Sequence, residues 1–369
     1  MKTLSQTPRI RQTPFSERVE EIGVKAYTVY NHMLLPTVFR TPHEDYKHLK
    51  SAVQVWDVSV ERQVELVGPD AAKLIQMTTP RDLSRMQNDQ CYYIPNVDKT
   101  GGIMNDPVAI RLDDDRYWVS LADSDMLFYY MGLAAGFGLD VEVFEPDVYP
   151  LAIQGPLANQ LIERVFGQEI VDTKFFRHKT IEFNGQKMII ARSGWSLQGG
   201  FEIYMEGWYN GIPLWDTLFE AGKDLDVYAG CPNGIERIEG GMLSYGSDMT
   251  MAHTPFDCGL GKFVHFEGAN DCLGMEALAA ADQNAREICP IEIEGEPLGT
   301  PARPWRVIGE NGTYAGRIAS CAYSPDYKAN VSIGMIEQEF ISPDVNLTVF
   351  CEDETEGRAC KIVEKFWLR

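Results

Sequence analysis

No apolar run in this 369-residue sequence approaches the ~18 residues that a membrane-crossing helix needs, so a helical membrane span is not expected. Positive charge is scarce: 33 Lys and Arg stand against 54 Asp and Glu, a net charge of −21. A nucleic-acid surface needs dense cations to replace phosphate counterions, and an anionic membrane surface needs them too, so neither partner is expected. Paired cysteines are also missing. The eight cysteines, at 91, 231, 258, 272, 289, 321, 351 and 360, have no C-x-x-C spacing, and the six histidines add no metal-ligand spacing. Isolated buried thiols are therefore expected in place of a zinc site or disulfide framework, with no metal. The opening residues, M-K-T-L-S-Q-T-P-R-I-R-Q-T-P-F, lack the apolar core of a secretory signal, and a cytoplasmic location is expected. G-x-x-x-x-G-K-[ST], an early G-x-G-x-x-G and G-x-S-x-G are absent, which sets aside a phosphate-binding P-loop, a dinucleotide fold and a serine-hydrolase elbow.

What is present is a globular composition, 44% hydrophobic and 24% charged, long enough for two or three domains with sizeable cores. Residues 1–20 are polar with prolines at 8 and 14 and read as an arm over the body. Tyr27–Pro36 is apolar and aromatic, His43–Leu49 is polar, and Ala52–Ser59 reads as a strand or short turn. V-E-L-V-G-P-D-A-A-K-L-I, from Val64, is a strand, a Gly68-Pro69 break and an amphipathic helix. The same plan returns at Leu151 as L-A-I-Q-G-P-L-A-N-Q-L-I, around Gly155-Pro156. Each copy is followed by further strands, which suggests two related α+β units; a common strand-to-helix turn arising twice is the alternative. The first copy continues through Tyr92–Ile94, Gly101–Asp106, the strand Arg116–Leu121 and a helix from about Asp123. The second holds a helix near Leu214–Ala221. From about Ile288 the texture changes to short alternating strands such as I-E-I-E, W-R-V-I, V-S-I-G, L-T-V-F and C-K-I-V, with a hairpin turn at Asn311-Gly312. That is a small all-β barrel, and a boundary within Ala280–Glu287 divides the chain into 1–284 and 285–369.

The stretch A-R-S-G-W-S-L-Q-G-G-F-E-I-Y, Ala191–Tyr204, carries the densest chemistry. Lys187–Ala191 before it and Phe201–Tyr204 at its end read as strands. Gly194, Gly199 and Gly200 between them permit tight turns or close approach to a ligand. Arg192, Trp195 and Glu202 are then expected to converge on one cavity suited to a planar heteroaromatic ring, with Trp on its face and the carboxylate on its N–H edge. A hairpin with a glycine-rich turn and an incidental salt bridge is the alternative.

R-S-G-W followed by G-G-F-E-I resembles R-x-G-Y-x-G-E-x-G-x-E-[IL], the signature of the folate-dependent aminomethyltransferases, the glycine-cleavage T-protein family. In that family the glutamate binds the pterin, and it falls on Glu202; the aromatic position is Trp195 where the family usually has Tyr. G-G-I-M-N-D, Gly101–Asp106, resembles G-G-[IL]-x-[DN]-D, whose second acid lies at the reacting nitrogen of the folate, here Asp106; Asn105 and Pro107 depart from the pattern. Tyr93 matches a position that packs on the pterin. Ile235–Asp248 resembles L-R-L-E-A-G-x-x-L-Y-G-x-D, and Thr254–Lys262 resembles T-P-x-E-x-G-L-x-W. An arginine usual in the family falls on Asn233, and the Arg237–Glu239 region reads as a structural ion-pair network. Asp271–Glu276 does not meet the K-G-C-[YF]-x-G-Q motif of the iron–sulfur repair relatives, because Cys272 lies only two residues before Gly274.

The resemblance covers nearly the whole chain. It implies a three-domain α+β fold, two related α+β units followed by a C-terminal β-barrel. It implies tetrahydrofolate as methyl acceptor, a cofactor-binding set of Tyr93, Asp106, Val119, Trp195 and Glu202, and Asp106 as the catalytic residue. The segment at residues 11–37, the Asn105 and Pro107 departures and S-G-W point within the family to a branch that demethylates a small-molecule sulfonium substrate, passing the methyl to N5 of tetrahydrofolate. A sulfonium is already an activated leaving group, so orientation and electrostatics suffice, and aromatics such as Trp195 suit a cation. No lipoyl carrier protein is then expected, and a homodimer is left open. The rivals are a glycine-cleavage aminomethyltransferase, a demethylase of another methylated cation and a folate-binding regulator without turnover.

Overall fold

The computed structural model describes all residues except 1–4, 6, 311, 343 and 353. In chain order the first strands are β1 (Ala26–Tyr30), β2 (Met33–Val38), β3 (Val53–Asp57), β4 (Gln63–Val67) and β5 (Cys91–Tyr93). Next come β6 (Asn96–Val97), β7 (Ile103–Asn105), β8 (Val108–Asp113), β9 (Arg116–Ser120) and β10 (Glu142–Phe144). The central set is β11 (Val148–Gln154), β12 (His178–Phe183), β13 (Gln186–Ala191), β14 (Gly200–Glu206) and β15 (Val227–Gly230). The last six are β16 (Arg286–Ile293), β17 (Trp305–Gly309), β18 (Tyr314–Ser324), β19 (Ala329–Glu337), β20 (Leu347–Phe350) and β21 (Arg358–Ile362). The chain forms two compact units. One holds residues up to Ala71 with Met86–Tyr92 and Val108–Asn233; the other holds Ala72–Arg85, Tyr93–Pro107 and Gly234–Arg369.

In the first unit a six-stranded sheet runs β12-β13-β14-β11-β3-β15 and a five-stranded sheet runs β10-β4-β9-β8-β5. Val53, Val55, Leu151, Ile153, Ile190, Phe201 and Ile203 line one face of the six-stranded sheet. They are covered by Leu161 and Ile162 of the helix Ala158–Phe166 and by Leu214, Trp215 and Leu218 of the helix Gly211–Ala221. Phe15 and Val19 join that core, so the expected arm is anchored by the short helix Ser16–Ile22. Ile189 and Tyr204 on the opposite face pack against Ile110 and Trp118 of the five-stranded sheet, with the Trp118 and Tyr204 rings 6.2 Å apart.

The two copies of the repeated motif fold alike. Gly68 (φ 140°) and Gly155 (φ 123°) both lie where a Cβ would strike a backbone carbonyl, at 2.5 Å from Asp140 O and 2.4 Å from Ala52 O. Ala71 and Ala158 then donate their N–H to the carbonyls of Gly68 and Gly155, opening the helices Ala71–Thr78 and Ala158–Phe166. Strand β3 precedes the first copy but sits in the six-stranded sheet, antiparallel to β11 and parallel to β15. V-Q-V-W-D is buried at every position, which a strand can be only inside a sheet covered on both faces. The helix expected from Asp123 begins at Leu127 instead, because the Asp123 carboxylate takes the Asn31 N–H and Ala122 O takes the Asn31 amide. Asn31 and His32, both with positive φ (47° and 66°), turn β1 into β2 inside the segment read as one apolar run.

In the second unit, β16-β19-β18-β17-β20-β21 close into a barrel around Ile291, Val307, Ile318, Cys321 and Val349. Asn311 of the expected hairpin turn lies outside the described residues; the flanking β17 and β18 pair antiparallel, and Gly312 has φ 73°. The helix Gly234–Gly240 lies against β18 and β19 through buried polar groups. Arg237 Nη1 meets Asp248 Oδ2 at 2.7 Å, Ser320 Oγ donates to Asp248 Oδ1 at 2.6 Å, and Ser324 Oγ donates to Glu239 Oε1 at 2.6 Å. The Arg237–Glu239 segment is thus a structural network in this fold.

Candidate functional site

The glycine turn that delivers Asp106 is tied down by Asp98, whose Oδ1 accepts from Thr100 N (2.8 Å), Thr100 Oγ1 (2.7 Å) and Gly102 N (3.0 Å). A side chain at Gly102 would place Cβ 2.3 Å from Met251 O, so only glycine lets the turn close. Strand β7 then carries the chain into Asp106, whose Oδ2 accepts the Tyr93 hydroxyl at 3.0 Å. Oδ1 is closed to solvent and has no hydrogen-bond partner among the described residues. Burial, opposed by the Tyr93 bond, pushes the Asp106 carboxyl from 3.8 up to about 7, and burial with the neighbouring Asp106 raises the Tyr93 phenol well above its ordinary value. The Tyr93 ring lies 5.3 Å from Phe263, and Arg81 sits over Phe263 at 4.9 Å while donating to Tyr93 O at 2.7 Å. An acid poised near neutrality, with one oxygen anchored and the other unpaired, is chemically ready to accept a ligand N–H or a proton.

In the first unit, β14 carries Glu202, 7% exposed, with its Oε2 accepting from Ser193 Oγ and from Tyr204 Oη at 3.3 Å. No described residue hydrogen-bonds to Oε1. Burial raises the Glu202 carboxyl, and the two hydroxyls oppose that shift. Neither Ser193 nor Tyr204 stands out in the sequence. Strand alternation is the signal that finds Tyr204, since residues two apart on a strand share a face. Trp195 is half-buried in the connection between β13 and β14. Val119, on β9 opposite Val64 and Ala109, is fully buried.

Arg192 does not join Glu202. Its guanidinium lies over the Phe201 ring at 4.4 Å and donates from Nη1 to Val171 O at 3.0 Å. Phe201 and Glu202 are successive residues of one strand and point to opposite faces, so the cation and the carboxylate separate. Two glycines of the turn close on the protein itself: a Cβ on Gly194 would meet Gln154 Nε2 at 2.0 Å and one on Gly200 would meet Ile153 O at 2.1 Å, whereas Gly199 faces open space at φ 78°. Asn233 is buried and donates to Pro42 O at 3.4 Å. All eight cysteines are buried and free, with every thiol raised by burial. Among the described residues, no group of three or more His, Cys, Asp and Glu is placed to hold a metal ion.

The family model described as the GCVT N-terminal domain matches residues 15–268. The chain belongs to the GCVT family. Within it, the chain is 50% identical over 369 residues to the dimethylsulfoniopropionate demethylase of Ruegeria pomeroyi, covering 100% of both proteins. It is 26% identical over 370 residues to an aminomethyltransferase of Lysinibacillus sphaericus, covering 97% of each. The glycine cleavage system aminomethyltransferase T of Bartonella henselae superposes with a TM-score of 0.85 at 19% identity, over 97% of this chain and 98% of that one, and so shares the fold. This GCVT-family chain accordingly has the three-part α+β and barrel architecture that its motifs imply, with tetrahydrofolate as the family's one-carbon acceptor.

Proposed function

We propose that this protein is a tetrahydrofolate-dependent demethylase of dimethylsulfoniopropionate, yielding methylthiopropionate and 5-methyltetrahydrofolate. The observation that carries the reading is the 50% identity to the Ruegeria demethylase along the whole of both chains, against 26% for the Lysinibacillus aminomethyltransferase. In the reaction, the N5 lone pair attacks a methyl carbon on sulfur, the S–C bond breaks with its electrons returning to sulfur, and N5 then gives up its proton. No leaving amine has to be protonated. Holding methyl and N5 in line can supply roughly 7–11 kcal/mol of the barrier.

The site residues follow from the same reading. Asp106 takes the reacting edge of the folate on its unpaired Oδ1 and balances charge as it passes from sulfur to nitrogen. Tyr93 holds Asp106 from behind. Glu202 takes pterin N–H groups on Oε1, with Ser193 and Tyr204 fixing its other oxygen. Trp195 and Val119 complete the folate contacts. No lipoyl carrier protein takes part, since a sulfonium diffuses freely, and the enzyme is cytoplasmic; among the described residues no helix is long and apolar enough to cross a membrane. Residues 1–284 form the folate-binding region and 285–369 a barrel domain, supported by closure of the barrel from β16 to β21. A homodimer is part of the proposal, supported by the exposed Phe128, Met131 and Phe137 on the helix Leu127–Phe137. Turnover with tetrahydrofolate and either dimethylsulfoniopropionate or an aminomethylated lipoyl carrier tests the reading: 5-methyl product from the sulfonium with no carrier present supports it, and 5,10-methylene product with ammonia, formed from the aminomethylated carrier alone, replaces it with aminomethyltransferase chemistry.

A further inference from the structure

Beside the Glu202 strand, on the face where Arg192 lies, is a cavity of about 360 Å³ that shares Ser193 with the Glu202 site but whose other lining residues have no part in the chemistry above. Arg192, Thr173, Gln154 and Ser196 supply its polar lining, and Val171 and Phe175 its apolar walls. Among the described residues Arg192 forms no ion pair, and its guanidinium makes one hydrogen bond, from Nη1 to Val171 O, which leaves Nε and Nη2 uncommitted. Burial lowers the titration of the guanidinium. Thr173 is 8% exposed, and its hydroxyl, closed to solvent, has no partner among the described residues. Buried donors of this kind are ordinarily satisfied. Gln154 is not the missing partner: its Oε1 accepts from Ser196 Oγ at 2.7 Å and its Nε2 faces Ser193 O at 3.4 Å.

An uncommitted guanidinium fork, an orphaned hydroxyl and two hydrocarbon walls select one ligand chemistry. A planar carboxylate matches the fork edge-on, and a short aliphatic or aromatic stem matches Val171 and Phe175. A phosphate dianion would call for more than a single cation. We infer that this cavity is a carboxylate-binding site, with Arg192 taking the carboxylate and the Thr173 hydroxyl donating to it. Taking the demethylase reading as given, the reaction offers two sources of that group: the propionate end of the methyl donor and product, or the glutamyl tail of tetrahydrofolate.

Propionate alone is the first probe, and its binding needs no turnover, so this arm stands or falls separately from the demethylase reading. Titration by calorimetry or ligand-observed NMR should show saturable binding, weakened at least ~10-fold in Arg192→Gln, less in Arg192→Lys, and measurably in the isosteric Thr173→Val. Unchanged circular dichroism and melting temperature establish that the variants are folded. The second arm separates the sources. If the donor's carboxylate binds here, Arg192→Gln raises the KM for dimethylsulfoniopropionate and leaves tetrahydrofolate affinity alone. If the glutamyl tail binds here, the variant weakens tetrahydrofolate but not a tetrahydropterin lacking the tail. Either pattern supports the site. Absence of propionate binding in the wild type, or equal binding in wild type and Arg192→Gln, overturns it.

Discussion

Replacing Asp106 by Asn should make the protein more stable and less active, and the gain in stability should grow with pH. The carboxyl is lifted from 3.8 to about 7 because its surroundings cannot solvate the anion. Over that interval the native protein keeps a proton that the unfolded chain has lost. The contribution to stability is therefore full below 3.8 and is lost as pH rises to about 7 and through it. A separation of one pH unit between the native and unfolded titrations is worth about 1.4 kcal/mol, so the loss between pH 5 and pH 8.5 comes to about 3 kcal/mol. Asp106 retains partial exposure, so about 1–3 kcal/mol is the expected range. Asn does not titrate and lacks this slope. Paired urea denaturations of wild type and Asp106→Asn at the two pH values measure it directly: the variant's advantage should be larger at pH 8.5. Parallel stability profiles would refute the claim that burial holds this acid near neutrality. In the same variant turnover should fall ~10- to 1000-fold, the range for one preorganised electrostatic group, with donor binding affected less. Complete inactivity with fold and both binding steps intact would point instead to obligatory proton transfer by Asp106.

Three further outcomes follow from other parts of the structure. Glu202→Gln keeps the shape of the side chain and removes its charge, so tetrahydrofolate affinity measured by calorimetry should drop by more than about twofold; a smaller change contradicts the assignment of Glu202 to the pterin. Gly102→Ala drives a methyl against Met251 O, 2.3 Å from the ideal Cβ, and should cost more than about 2 kcal/mol in denaturant titration while lowering turnover through the strand that carries Asp106. Arg237→Met leaves Asp248 buried without its cation and should cost about 3–5 kcal/mol, read as a lowered melting temperature, with any loss of activity following stability.

Much of the fold is legible because local chemistry dictates it. Gly68 and Gly155 are forced by the same crowded turn, and the proline after each marks the coming helix. Strand β18, Y-A-G-R-I-A-S-C-A-Y-S, breaks simple alternation: it carries a register shift between Ile318 and Ser320 and turns Ser320 and Ser324 towards buried carboxylates. Its logic is tertiary, so no period reveals it. The hairpin at Asn31-His32 is hidden for a related reason: two non-glycine residues take positive φ, and Asn31 is tied to Val60, Ala122 and Asp123, distant in sequence. At the site, Asp106 and Glu202 are picked out by the resemblance of two local motifs, Gly101–Asp106 and Gly200–Glu202, to those of the family; a Gly-Gly turn followed by Asp would not single out Asp106 by itself. The expected meeting of Arg192 with Glu202 fails because strand alternation outranks nearness in sequence. Thr173 lies 19 residues before Arg192 in the chain and has no motif; only folding brings its hydroxyl to that cavity.

The central claim is that a methyl group passes intact from sulfur to N5 of tetrahydrofolate. It is tested most directly by incubating the purified protein with tetrahydrofolate and dimethylsulfoniopropionate labelled with carbon-13 in the S-methyl groups, with no other protein present. The label should appear as 5-methyltetrahydrofolate in equal amount to methylthiopropionate. Methylthiopropionate without labelled folate, or no cleavage of the sulfonium at all, would contradict it.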